Sequence, residues 1–370
     1  MKKVLVLNYE FPPLGGGASP VSYELAKKMF ETGDFDIDVV TMNHKSLLKY
    51  EEINKNFRVH RVRSWRSKKE LCYPWEQVTY LIFGWFKCKE LLKTKRYDLC
   101  HCHFIIPTGV LALKLKKKFG LPYIITPHGS DVLNYNSRLK LIYPFLFGLW
   151  QNILNNAQKI ISPSNFLKGE ILKVYPLFEE KKIVVVPNGF DTNKFQPQVK
   201  KKYIFSSGRL LLNKGFQYLI QAVADEDIGY EVHLAGDGPM RKDLERLAKK
   251  SKTRIFFHGW LDNNGLEYKN LLEQAEIFVL ISEKENASMV LREAMSAGCA
   301  IITSDTSGCA ETVAEAGILV KFGDVQVLKS ALNLLVNDQN QLLSLAEKAL
   351  TRVKNTYDWQ LIVKEYIKNL

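Results

Sequence analysis

The run Ile277-Phe-Val-Leu-Ile281, then Ser282, then Glu283-Lys-Glu-Asn-Ala-Ser-Met-Val-Leu-Arg-Glu293 leading into Ala294-Met-Ser-Ala-Gly298, decides how this chain folds. Five consecutive apolar residues bounded by polar ones read as a strand buried on both faces. The segment from about Ser288 to Gly298 reads as a helix with glycine at its stop. A strand, a tight loop and a helix start form an anion site, because the first helical N–H groups have no partner within the helix. Glu285 in the loop and Glu293 on the helix, with seven residues between them, flank that position. There they could hold hydroxyls of a sugar nucleotide whose phosphates lie between them. Taken alone, the same string also fits an ordinary strand–loop–helix with surface glutamates.

The rest of the chain repeats this unit. Val4–Leu7, Ile37–Thr41, Phe57–Val62, Leu99–His101, Tyr123–Thr126, Lys159–Ser162 and Ile183–Val186 read as strands. Helical patterns lie between them near 20–32, 75–95, 107–119, 138–156 and 164–174. Further on, Tyr203–Ser206, Glu231–Ala235, Ile255–Phe257, Ile277–Ile281 and Ala300–Thr303 read as strands. They alternate with helices near 215–224, 239–250, 264–274, 288–297, 325–335 and 340–355. Such alternation predicts parallel sheets covered on both faces, in an α/β class with two Rossmann-like domains facing a central cleft. An eight-fold barrel is the weaker alternative. The polar, proline-bracketed stretch Pro187-Asn-Gly-Phe-Asp-Thr-Asn-Lys-Phe-Gln-Pro197 is the expected joint. The domains are expected over 1–190 and 191–355, with a helix over 356–370 crossing back to the first.

A length of 370 residues favours two cores over one. No apolar run reaches the roughly 18–20 residues of a membrane span. Met1-Lys-Lys-Val-Leu-Val-Leu-Asn8 reads as a first buried strand rather than a signal peptide, so a cytoplasmic protein is expected. The six cysteines have no framework-like spacing. Cys100-His-Cys-His103 is the one cluster with metal-ligand chemistry, but alternate residues of a strand point to opposite faces, and no metal is expected there. The net charge of +13 belongs to the first half: residues 1–195 carry 30 Lys and Arg against 17 Asp and Glu. Such a field suits an anionic membrane surface or a polyanionic acceptor.

Three further segments follow strands. Glu10-Phe-Pro-Pro-Leu-Gly-Gly-Gly-Ala-Ser-Pro20 has three glycines for close backbone approach, with Ser19 and Pro20 read as N-cap and first helical residue. Pro20 stands where the dinucleotide fingerprint needs its last glycine or alanine, which disfavours a nicotinamide enzyme. Thr126-Pro-His-Gly-Ser-Asp131 puts His128 at a strand's carboxyl end, within reach of a sugar hydroxyl or phosphate. In Ser206-Ser-Gly-Arg-Leu-Leu-Leu-Asn-Lys-Gly215, Arg209 and Lys214 offer a guanidinium fork and an ammonium for a departing diphosphate.

In this order the motifs resemble glycosyltransferase family 4, the retaining, nucleotide-sugar-dependent enzymes of GT-B fold. The resemblance spans nearly the whole chain. It rests on the glycine loop, His128-Gly-Ser-Asp131, Asn188-Gly-Phe-Asp191, Gly208-Arg209 with Lys214-Gly215, Ala235-Gly-Asp-Gly-Pro239, Phe257-His-Gly-Trp260 and the Glu285/Glu293 pair. It implies an N-terminal acceptor-binding domain and a C-terminal domain for the nucleotide sugar. Glu285 is then the acid on the donor sugar and Glu293 the acid on the ribose. Arg209 and Lys214 bind the leaving diphosphate, and the backbone of Ser288, Met289 and Val290 receives the phosphates. His258, Gly259 and Trp260 lie beside the nucleobase. Gly15–Gly17 form the acceptor-side loop, Gly16 and Gly17 reaching the donor, and His128 is the cleft histidine. Many members carry Gly-Phe-Gly after the first acid; here Asn286-Ala-Ser288 stands, which bears on the donor sugar.

The resemblance implies transfer of a hexose or N-acetylhexosamine, UDP-linked, to a glycan or lipid-linked acceptor in cell-envelope polysaccharide or glycolipid synthesis. The matched acids are binding groups, so a front-face retaining mechanism is expected rather than two displacements on a carboxylate. No cofactor and no metal are expected. Asp34-Phe-Asp36 and Asp36-Ile-Asp38 fit an Asp-x-Asp pattern but begin a strand instead of following one. Residues 75–95 mix Trp75, Tyr80, Phe83, Trp85 and Phe86 with lysines; residues 138–150 mix Arg138 and Lys140 with Tyr143, Phe145, Phe147 and Trp150. Either set forms a peripheral membrane surface or an aromatic face turned to the core. The rival functions are a sugar-nucleotide epimerase or phosphorylase on the same fold, and a basic nucleic-acid-binding protein, for which no recognition motif is present.

Overall fold

Every apolar run read above as a strand is a strand in the computed structural model of the chain, which describes residues 1–45, 47–133 and 143–370. Arg138, Lys140 and the start of the helix expected over 138–156 lie outside the described residues; the described helix runs Tyr143–Asn156. The chain forms two units, Met1–Gly189 with Trp359–Leu370, and Phe190–Asp358.

The first unit holds β1 (Lys2–Leu7), β2 (Phe35–Met42), β3 (Tyr50–Asn54), β4 (Phe57–Val62), β5 (Leu99–His103), β6 (Tyr123–Thr126), β7 (Ile160–Ser162) and β8 (Ile183–Val185). They lie in the order β3-β4-β2-β1-β5-β6-β7-β8. All neighbours are parallel except β3 and β4. Helix Ala18–Glu31 buries Val21, Leu25 and Met29 at helical spacing. It begins at Ala18 with Gly17 before it, so Ser19 is not the N-cap expected from sequence. Ser19 lies instead in the first turn, buried, and its carbonyl accepts the Ser22 hydroxyl at 2.8 Å. The C-terminal helix Trp359–Ile367 packs on helix Ala18–Glu31. Its Trp359 ring lies so close to Gly189 that a Cβ there would come within 2.1 Å of it.

The second unit holds β9 (Lys201–Ser207), β10 (Glu231–Ala235), β11 (Ile255–Gly259), β12 (Ala275–Leu280), β13 (Ala300–Ser304) and β14 (Ile318–Val320). Their order is β11-β10-β9-β12-β13-β14, all parallel. β12 is buried throughout and its side chains alternate between two cores. Ile277 and Val279 join Leu219, Ile220 and Leu332 on one face. Phe278 and Leu280 join Leu291, Ala294 and Met295 on the other. Each fully buried Ile, Leu or Phe contributes roughly 1.5–3 kcal/mol, and this second core fixes helix Met289–Ser296 against the sheet.

Candidate functional site

In the second unit the strand order reverses between β9 and β12, and loops leaving the carboxyl ends of neighbouring strands diverge at such a point. From β9 comes the segment through Arg209 to the turn Leu212–Lys214; from β12 come Ser282–Ser288 and helix Met289–Ser296. Gly215 lets the two approach: its φ is +71°, and a Cβ there would stand 1.9 Å from the Ile281 carbonyl oxygen. The Glu283 N–H donates to the Asn213 carbonyl at 2.9 Å. This contact sets the Lys214 ammonium on the Glu285 carboxylate, both about one-fifth exposed at 20% and 18%. Ser282 Oγ donates to the same Glu285 oxygen at 3.1 Å.

The loop between the acids is held from the β13 side as well. The Glu285 N–H donates to Ser307 Oγ at 2.9 Å, and the Gly308 N–H donates to the Glu285 carbonyl at 2.8 Å. A Cβ at Gly308 would lie 1.8 Å from the Asn286 carbonyl oxygen, so only glycine admits this approach. Ser288 precedes helix Met289–Ser296 with extended backbone. It is buried, and its Oγ has no hydrogen-bond partner among the described residues. A buried hydroxyl left unpaired costs on the order of 1–3 kcal/mol. Beside it lie the free N–H groups of the helix start. The Ser288 hydroxyl and these N–H groups can together donate to an oxyanion.

Glu293 lies deeper. It is 4% exposed, accepts the Tyr268 hydroxyl at 2.7 Å, and faces Lys194 at 3.9 Å. Burial pushes its carboxyl above the usual range, opposed by the Tyr268 hydrogen bond and Lys194. Arg209 is exposed and makes no ion pair among the described residues. The segments after β9, β10 and β11 are tied together by Gly208 N–H to Ala235 O at 3.0 Å and Gly236 N–H to Gly259 O at 2.6 Å. Trp260, just beyond, is 68% exposed. Lys214, Glu285, Asn286, Ala287 and Ser288 thus share one loop cluster, with Met289 and Val290 opening the helix. Glu293 makes its contacts with other residues.

The first unit has its own reversal, between β1 and β5. The loop after β1 holds Gly15, whose N–H donates to Lys69 O at 2.8 Å, while Gly16 and Gly17 have open space where a side chain would be. β5 is two residues longer than expected. Cys100 and Cys102 turn into the apolar core, and His101 and His103 point the other way. His103 Nδ1 and His128 Nε2 are 3.1 Å apart. Asp131 accepts the N–H groups of Ile105 at 2.6 Å and His128 at 2.9 Å. Burial raises the Asp131 carboxyl to about 6 and lowers the His101 and His128 imidazoles to about 3, so both rings stay neutral. His128 is therefore a hydrogen-bonding group, not a cation, at neutral pH.

Among the described residues, no three His, Cys, Asp or Glu side chains gather where a metal could bind. Asp38 is taken by Arg58 and His60 at 2.8 Å each and by Lys95 at 2.7 Å. Burial opposes ionisation there, but these bonds hold the Asp38 carboxyl well below the usual carboxylate range. Ser282, Ser307, Gly308, Tyr268, His103 and Asp131 did not come out of the sequence as site residues. Thr306-Ser-Gly308 after the Ala300–Thr303 run was a readable signal, a second strand–loop–helix beside the first.

The Glycosyl transferases group 1 family matches residues 189–352, and Glycosyltransferase Family 4 matches residues 15–194. The N-acetyl-alpha-D-glucosaminyl L-malate synthase of Bacillus anthracis is 25% identical over 379 residues, covering 96% of this chain and 93% of that protein. The sucrose-phosphate synthase of Thermosynechococcus elongatus has a similar structure, with TM-score 0.82 at 20% identity, covering 100% of this chain and 98% of that one. So does HepE of Anabaena in complex with UDP, with TM-score 0.76 at 18% identity, covering 100% of this chain and 99% of that one.

Proposed function

The chain belongs to the GT-B glycosyltransferases of family 4, and we propose that it moves a hexose or N-acetylhexosamine from a UDP-linked sugar to a glycan or lipid-linked acceptor of the cell envelope. One observation carries the donor assignment. The Lys214–Glu285 pair stands beside a helix start whose Ser288 hydroxyl is buried without a partner. On this reading the diphosphate takes up the Ser288 hydroxyl and the helix N–H groups, Arg209 and Lys214 neutralise its charge, and Glu285 accepts from the sugar hydroxyls. The UDP bound to the similarly folded HepE supports the choice of base.

The reaction is read as a front-face displacement with retention. The bond from the anomeric carbon to the diphosphate oxygen breaks, and the bond to the acceptor oxygen forms on the same face. The acceptor's proton passes to the leaving phosphate oxygen, with no carboxylate nucleophile. A covalent sugar adduct trapped on Glu285 would refute this. Charge neutralisation by Arg209 and Lys214 makes the reaction metal-independent, so turnover should persist in EDTA.

Association with an anionic membrane from the cytoplasmic side is part of the same reading. No described helix is long and apolar enough to cross a membrane. Helix Pro74–Thr94 instead exposes Trp75 (60%), Val78 (52%), Ile82 (50%) and Phe86 (58%) at helical spacing, with Lys89 over the Phe86 ring. Tyr80, on its other side, is fully buried. Such a face lies in a lipid interface. Co-sedimentation with vesicles that does not depend on anionic lipid would count against it.

The central test is a thermal-shift panel of nucleotide sugars followed by mass spectrometry with candidate acceptors. Glu285→Ala should abolish transfer, and Glu293→Ala should weaken binding of the nucleotide itself. Full activity in both variants would overturn the assignment.

A further inference from the structure

The first unit contains a cavity of about 860 Å³ that shares only Phe86 with the roles above. Its floor is the carboxyl end of β2 and β4, at the β3 edge of the sheet, and its wall is helix Pro74–Thr94. Its charge is one-sided. Arg61 is paired with Glu51 and Lys87 with Glu90, each at 2.7 Å. Lys45, Lys49 and Arg63 also line the cavity, and none of them has an ion pair among the described residues. His44 lines it too; it is 8% exposed, and its Nδ1 is buried without a partner. An unsatisfied buried nitrogen beside free cations marks a place suited to an anion.

The other wall is apolar. Phe83 and Phe86 line it, and the Arg63 guanidinium lies 5.9 Å from the Phe83 ring centre. Phe86 is also the end of the exposed stripe that runs back through Ile82 and Val78 to Trp75. A cationic pocket that opens onto an exposed apolar stripe matches a molecule with an anionic head and an apolar tail. We propose that this cavity binds the phosphate head of an amphiphile whose apolar part lies along Phe83, Phe86 and the Trp75–Ile82 stripe. The phosphate belongs either to a bilayer phospholipid or to a single lipid-linked acceptor. The seat for the apolar part rests on the lipid-facing reading of helix Pro74–Thr94 given above, and the use made of the occupant on the transferase reading; the anion pocket rests on neither.

The test is titration calorimetry of the full chain with dihexanoyl phosphatidic acid kept below its micelle concentration, in the absence of any nucleotide sugar. Inorganic phosphate and dihexanoyl phosphatidylcholine serve as comparison probes. The expected result is saturable binding of the phosphatidic acid, at least tenfold tighter than either comparison probe. The double variant Lys49→Glu with Arg63→Glu should weaken it tenfold or more, and salt should weaken the wild-type binding. Both residues are exposed, so the thermal transition of the variant should match the wild type. Equal binding by variant and wild type, no binding by the wild type, or inorganic phosphate binding as tightly as the lipid would each overturn the proposal.

Vesicles of phosphatidylcholine with phosphatidylglycerol separate the two sources. Loss of vesicle binding in the variant identifies a bilayer headgroup. Loss of phosphatidic acid binding with vesicle binding kept identifies a single lipid molecule. A UDP-sugar thermal shift run in parallel reports on the Glu285 site alone, so failure of the cavity and failure of the donor assignment give different results.

Discussion

Acidification should loosen the first unit through His101. The ring is 1% exposed, its Nε2 lies 2.8 Å from Thr126 Oγ1, and that hydroxyl lies 2.8 Å from the Tyr366 hydroxyl on the C-terminal helix. Burial, then the neighbouring His128, lowers its pKa from 6.5 to about 3. Between those values the unfolded chain binds a proton that the folded chain does not. The stability contributed by a neutral His101 is therefore present above about pH 6.5 and lost as pH falls toward 3. From about pH 7 to about pH 5 the loss is roughly 2 kcal/mol. His103 and His128 are depressed in the same direction and add to it. Asp131, raised to about 6, works the other way. Its folded form gains a proton as pH falls through 6, which returns on the order of 1 kcal/mol over the same interval. The readout is hydrogen exchange of the slowest amides of β5 and β6 at the two pH values, corrected for intrinsic rates. His101→Gln keeps a hydrogen-bonding group toward Thr126 but cannot titrate, so its loss between the two pH values should be about 2 kcal/mol smaller than that of wild type. An identical pH dependence in variant and wild type would refute the reasoning.

Three further outcomes are expected. Gly215→Ala, forced to positive φ and into the Ile281 carbonyl, should destabilise the second unit by more than about 2 kcal/mol, measured by its urea midpoint. Ser307→Ala removes the acceptor that holds the Glu285 N–H; it should lower kcat about tenfold while leaving UDP affinity within about twofold, read by steady-state kinetics. Because burial raises Glu293, UDP affinity should begin to fall at a pH above the usual carboxylate range, as the carboxylate is lost on protonation. Glu293→Gln should flatten that dependence in a calorimetric pH series.

The sequence carried the strands that are buried on both faces, because the part of β12 after Glu276 lies between two cores and must be an apolar run. It did not carry β3. Tyr50-Glu-Glu-Ile-Asn54 is an edge strand paired only to β4, mostly exposed, with neither an apolar run nor alternation to betray it. β14 was missed as well; of its three residues only Val320 is buried. The site divides in the same way. The cluster of Glu285 and Ser288 with Lys214 follows from loops at the carboxyl ends of adjacent strands, and strand order in a parallel sheet is constrained enough to expect it. The contacts that give each acid its character come from farther off. Tyr268 precedes Glu293 by 25 residues and Ser307 follows Glu285 by 22, in elements whose approach is set by packing rather than by any local pattern. That is why composition and spacing made the two glutamates look like a matched pair. Packing makes them different groups. Glu285 is a partly open carboxylate held by a lysine, and Glu293 is a buried one held by a tyrosine. Acidification should therefore act on Glu293 above the usual carboxylate range, and through it on the nucleotide.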